Sequence, residues 1–164
     1  MPKKAKSKKI ATVQIKNPID IDSSVPFRVV RLANLFGTNF DRFASNRENK
    51  ISLTEWRVMM TLAFHPGIPA ISVCRHTGYS EVNVSRALSR MQERGWIQRT
   101  RDPDDRRKTQ LELTSAGAAI YNQLQPTAES SIAGLTARIS PAQEKQLHRH
   151  LDKFIEIMED IISS

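Results

Sequence analysis

The sequence predicts a mainly α fold carrying one small β-hairpin. Segments with apolar residues at helical spacing occupy most of the 164 residues. Only Trp96–Arg101 and Thr109–Leu113 have strand composition, and the turn between them is Asp102-Pro103-Asp104-Asp105. Charge is uneven as well: the net +8 arises from +5 in residues 1–9, +2 in 10–50, +3 in 51–113 and −2 in 114–164. One face of the molecule is therefore suited to an anionic partner, and the C-terminal helices to a protein partner.

The elements follow in order. Residues 1–25 are a basic tail and arm. Pro2 to Lys9 is lysine-rich and either attracts phosphate nonspecifically or only solubilises. Residues 10–25 carry scattered apolar residues without helical period, as an arm packing on a second subunit or as a loosely attached leader. From Pro26 to Ala44, Phe27, Val30, Leu35, Phe36, Phe40 and Phe43 cover too much of a helix for one stripe, which implies burial from more than one side. Residues 54–64 form a second helix with Trp56, Met59, Met60 and Ala63 inward. A short third helix spans 69–77, with Pro69 as its first residue. Thr114 caps a helix that runs to about Ala137 with a bend near Pro126. Ser140-Pro141 opens the last helix, where Leu147, Leu151, Phe154, Met158 and Ile161 repeat at 4-3-4-3.

Between these lies the most informative stretch, Tyr79 to Gly117. Ser80 is an N-cap and Glu81 suits the positive end of the helix dipole. Val84, Ala87, Leu88 and Met91 define one apolar face, so Val82, Ser85, Arg86, Ser89, Arg90 and Glu93 point away from it. Such a surface fits a DNA major groove: arginine bonds guanine bidentately, small hydroxyl residues allow close approach, and an apolar group meets a thymine methyl. A solvated helix face has the same composition, and the hairpin decides between them. Gly95 ends the helix, two strands follow, and the turn carries Arg106, Arg107 and Lys108. Residues 86–108 hold eight Lys/Arg against four Asp/Glu, an excess that favours a phosphate-lined partner.

This arrangement resembles the MarR-type winged helix-turn-helix transcription regulators. The resemblance rests on Leu53-Thr54-Glu55-Trp56-Arg57-Val58, His65-Pro66-Gly67, Thr77-Gly78-Tyr79-Ser80, Val84-Ser85-Arg86 and Gly95-Trp96-Ile97 in that order. Its most specific parts are Asp102-Pro103-x-Asp105-x-Arg107 and Leu113-Thr114-x-x-Gly117. The match covers roughly residues 51–117, and its helical flanks extend it to about 26–162. It implies a winged helix at 51–113, dimerisation helices at 26–50 and 114–164, and a homodimer on double-stranded DNA. The expected DNA contacts are Ser80, Val82, Asn83, Ser85, Arg86, Ser89 and Arg90 on the reading helix, with Arg106, Arg107 and Lys108 on the wing. By resemblance Arg107 enters the minor groove and Asp105 stabilises the wing.

The family commonly releases DNA when a small aromatic or phenolic carboxylate binds between the dimerisation helices and the winged domain. Arg28, Arg31, Trp56, Met60 and His65 lie on elements that would line such a cleft, although plain core packing accounts better for Trp56 and Met60. The function expected is thus a ligand-released repressor on a pseudo-palindromic operator. Two alternatives stand beside it: an architectural DNA-binding protein of little sequence preference, and a protein-interaction module that never touches DNA.

Enzyme chemistry fits poorly, and no cofactor or metal is expected. His148 and His150 are two apart on a helix and face different ways, and His65 and His76 lack a chelating neighbour in sequence. There is no Gly-rich phosphate loop, nucleophile elbow or thiol pair. The single Cys74 excludes an intramolecular disulfide, fits a cytoplasmic protein, and reads as a small core residue, with Arg75 beside it able in principle to lower its pKa. No apolar run approaches a membrane span, and the lysine-rich start lacks the apolar core of a signal peptide.

Overall fold

The computed structural model describes residues 15–44, 50–101 and 109–164; the lysine-rich tail and the wing turn with Asp105, Arg106, Arg107 and Lys108 lie outside them. The chain divides into two compact units, one ending at Phe36 and one running from Gly37 to Ser164. In chain order the elements are α1 (Val25–Ala44), α2 (Leu53–Phe64), α3 (Ala70–Thr77), α4 (Glu81–Glu93), β1 (Ile97–Arg101), β2 (Thr109–Leu113), α5 (Ser115–Thr136) and α6 (Pro141–Ser163). This is the mainly α fold with a small β-wing that the sequence predicts.

In the first unit, Asp20 organises the approach to α1. Its carboxylate accepts the N–H groups of Asp22 and Ser23 and the Ser23 hydroxyl. Arg28 then reaches back, donating from Nε and Nη2 to the Asp22 carbonyl at 2.9 and 2.7 Å.

In the second unit α2 is central, packing against α3, α4, α5 and β2. Ser52 and Glu55 form a reciprocal capping box at its start. Its buried residues are Glu55, Trp56, Val58, Met59 and Leu62. Trp56 lies between the rings of Phe40 and Tyr121, at centroid distances of 6.3 and 5.5 Å. Ala63, expected inward, is exposed. It shares the face of Trp56 but belongs to the last turn, where that face is uncovered, and the buried arc turns instead toward Val58 and Leu62. Pro69 also differs from expectation: it is the extended N-cap of α3, its carbonyl accepting from Ser72 and Val73, and not the first helical residue. Proline's fixed φ suits either position, so spacing alone does not separate them.

The wing is an antiparallel pair with Ile97 opposite Leu113 and Arg101 opposite Thr109. A bridge from Ile68 to Leu111 extends it, with Gly67 N–H donating to the Leu111 carbonyl and Leu111 N–H to the Ile68 carbonyl, both at 3.0 Å. The lower end of the wing is locked to α5 by Thr114. Its N–H donates to the Trp96 carbonyl, its hydroxyl donates to the Gly95 carbonyl, and the same oxygen accepts from Gly117 N–H. That geometry explains the Leu-Thr-x-x-Gly pattern. A Cβ on residue 117 would sit 2.0 Å from the Trp96 carbonyl oxygen, so only glycine fits.

The terminal helices are less covered than α2. In α1, Phe40 and Ala44 are buried, while Phe27, Val30, Leu35 and Phe36 are exposed. Among the described residues, α1 is therefore not buried from more than one side. α6, opened by a Ser140–Gln143 capping box, buries no residue at all. Leu147, Phe154, Met158 and Ile161 of its apolar stripe are exposed. Among the described residues no helix is long and apolar enough to cross a membrane.

Replacing Gly117 by alanine should destabilise the fold by about 1–3 kcal/mol, because the clash is with backbone that no rotamer change relieves. Thermal unfolding checks this; an unchanged midpoint would show that the α5 start can shift without cost.

Candidate nucleic-acid interface

Two short helices and a left-handed glycine build the interface. Gly78, at φ +69°, turns the chain out of α3. Ser80 then caps α4 by accepting from Asn83 N–H, with Glu81 in the first turn. Val84, Ala87, Leu88 and Met91 are essentially inaccessible and join the core that includes Met59, Leu62 and Val73. Their burial fixes which residues face away. Val82, Ser85, Arg86 and Ser89 are exposed, as the helical period predicts, and so are Asn83 and, just before α4, Ser80. Among the described residues no ion pair holds Arg86.

Arg90 is placed differently. Its side chain is half exposed, but its Nε donates to Glu55 Oε1 at 3.0 Å. Glu55 is buried, and its other oxygen accepts from the Ser52 N–H and hydroxyl at 2.8 and 2.7 Å. Burial pushes the Glu55 carboxyl up, but the Ser52 bonds, the Arg90 bond and the charge of Arg94 outweigh it and hold the pKa below the ordinary value. Glu55 is missing from the sequence-derived set, although Ser52-x-x-Glu55 before an apolar run is the signature of a capping box. Nothing in the spacing of the chain marks its pairing with a residue 35 positions on.

Further contacts join the wing and the turn to this helix. Arg99 of β1 donates through Nε to Gln92 Oε1 at 2.8 Å, and the Arg94 guanidinium lies 4.7 Å from the centre of the Trp96 ring. Arg57 of α2 donates to the Tyr79 hydroxyl at 3.0 Å. The wing cations Arg106, Arg107 and Lys108, with Asp105, lie outside the described residues.

The remaining candidates are more dispersed. Arg28 and Arg31 line a cavity in the first unit together with Ile21, Asp22 and Phe27. In the second unit Trp56 is committed to its aromatic stack, Met60 packs on the core, and His65 lies face to face with His76 at a centroid distance of 4.4 Å. Among the described residues no group of three or more His, Cys, Asp or Glu could hold a metal ion. Burial, then the charge of Glu81, pushes the Cys74 thiol up, so a lowering by Arg75 does not occur.

Residues 50–108 match the model of the MarR family. That segment is similar to the winged helices of the MarR family. The chain is 24% identical over 111 residues to the homoprotocatechuate degradative operon repressor of Escherichia coli, covering 68% of this chain and 75% of that one. Its fold is that of a MarR/EmrR family transcriptional regulator from Acinetobacter sp. ADP1, with a TM-score of 0.75 at 22% identity over 87% of this chain and 99% of the other. BpsR of Bordetella bronchiseptica, whose DNA binding is regulated by 6-hydroxynicotinic acid, aligns with a TM-score of 0.70 at 21% identity over 84% and 97% of the two chains. The fold is the one these transcription regulators share.

The low pKa of Glu55 has a defined consequence for stability. Its stabilisation is complete above the pKa of the carboxyl in the unfolded chain and is lost as pH falls through the lower folded value. Glu55→Gln should therefore lower stability at neutral pH and flatten its decline between neutral pH and about pH 3. Denaturant unfolding across that range checks it, and parallel curves for the two proteins would contradict it.

Proposed function

We propose that this chain is a homodimeric, sequence-specific transcription regulator, a repressor released from a pseudo-palindromic operator by a small aromatic or phenolic acid. One observation carries the reading: α4 withdraws its whole apolar stripe into the core and presents Val82, Asn83, Ser85, Arg86 and Ser89 to solvent on a MarR-family winged helix. Hydroxyl, amide, methyl and guanidinium groups on one convex surface match the base edges of a major groove. Arg106, Arg107 and Lys108 extend the contact to phosphates and a flanking minor groove, with Asp105 holding the wing.

The homodimer is supported by the exposed apolar stripes of α1 and α6, which lie within the terminal segments proposed to dimerise, 26–50 and 114–164. Apolar faces of that length on a monomer mark an association surface. A two-fold dimer would set two copies of α4 about one turn of DNA apart, roughly 34 Å.

The effector proposal rests on Arg28 and Arg31 beside Phe27, where cations and an aromatic ring suit an aromatic carboxylate. The ligand of BpsR is a compound of that class. In the second unit Trp56 is committed to its aromatic stack, while Met60 and His65 are partly exposed. A ligand releases DNA only by binding better to a dimer whose reading helices are wrongly spaced.

The test is selection of duplexes by the full chain from a random-sequence pool, followed by challenge with phenolic and pyridine carboxylates. The expected result is an enriched two-fold symmetric site that a subset of the acids releases. Binding without sequence enrichment would favour the architectural reading, and enrichment without release by any acid would remove the effector.

A further inference from the structure

The apolar stripe of α4 decides which side of the helix faces the core, but apolar contact is non-directional and tolerates small rotations. A base-reading helix does not. Turning α4 by about 20° would carry its side-chain ends, some 5–6 Å from the axis, by about 2 Å, more than a hydrogen bond accommodates.

Two directional contacts from α2 oppose such a rotation. Arg57 Nη1 donates to the Tyr79 hydroxyl at 3.0 Å, and its guanidinium lies 5.5 Å from the centre of the Tyr79 ring. Tyr79 immediately precedes the N-cap of α4. At the other end, Arg90 in the last turn donates to Glu55 Oε1. The Glu55 carboxylate cannot swing to follow it, because its second oxygen is tied to Ser52 at the start of α2. Along a helix the two attachment points are separated by about 16 Å. Glu55 and Arg57 are two residues apart on α2, so a single rigid element holds both ends of the reading helix.

We propose that Glu55 and Arg57 are positioning residues for DNA reading, and that Arg90 acts chiefly through Glu55 by fixing the rotation of α4. This rests on the DNA-reading role proposed above. It gives Arg90 a different part from Arg86: the first aims the helix, the second touches the bases. Loss of the clamp should damage discrimination between sequences more than attraction to DNA as such, since phosphate contacts survive a small rotation and base contacts do not.

The experiment measures, at one salt concentration, the affinity of the full chain for the duplex it enriches from a random pool and for poly(dI-dC). The proteins compared are wild type, Glu55→Gln, Arg90→Lys, the double variant and Tyr79→Phe, each checked for folding by circular dichroism. The ratio of the two affinities should fall at least tenfold for Glu55→Gln and for Arg90→Lys. The double variant should be no worse than the poorer single one, because both break the same contact. Tyr79→Phe, which keeps the ring and loses only the hydroxyl, should lower the ratio at least threefold and serves as the test should Glu55→Gln not fold. A ratio within threefold of wild type for a folded Glu55→Gln would overturn the proposal. So would an Arg90→Lys that loses affinity equally on both DNAs, the behaviour of a direct phosphate contact. A wild-type chain that enriches no duplex would overturn the DNA-reading role and this inference together, a result recognisable before any variant is compared.

Discussion

Val84, Ala87, Leu88 and Met91 are withdrawn from water almost completely, and the layout of the candidate nucleic-acid face follows from that burial. Each larger side chain of the stripe contributes about 1.5–3 kcal/mol when buried, so no competing orientation of α4 that exposes them is accessible. The outward row from Val82 to Ser89 is thus selected by the inward one. The same burial brings the end of α4 to Gly95, from which the chain enters β1. Thr114 then ties the close of β2 back to Gly95 and Trp96. Helix, wing and the start of α5 meet at one point, where residue 117 has no room for a side chain.

Much of this was legible because helical period and capping are local properties. Ser80, Thr114 and Ser140 each cap the helix assigned to them, and the stripe of α4 is buried at all four positions. Arg90 shows where local reading stops. It lies about 110° from the centre of the stripe, against about 150° for Arg86, so it borders the buried side and can reach back to α2. Its partner is distant in sequence, and a buried glutamate carries no periodic signal. Ala63 fails for a related reason: period gives the face of a helix, but not how far the neighbouring elements extend along it. Phe40 and Phe27 share a helix and a residue type, yet one is core and the other is exposed. Only the neighbours of α1 distinguish them.

Charge and apolarity separate along the chain in a way that suits a two-sided molecule. The basic excess falls on the tail and the winged helix, while residues 114–164 are slightly acidic. One of those acidic helices, α6, carries an uncovered apolar stripe, as does α1 in the N-terminal part of the chain. Under the proposed dimer, the terminal segments set the distance between two reading helices whose rotation α2 fixes within each subunit. Spacing and aim would then be governed by different parts of the chain, and an effector acting on the first need not disturb the second.

Under the proposed function, α4 reads the major groove from two symmetric positions. Methylation interference on the duplex the chain enriches tests it most directly, because guanine N7 lies in the major groove. The account predicts two groups of interfering guanines, centred about one helical turn apart, roughly 34 Å. Interference absent from the guanines, or scattered without that spacing, would contradict it.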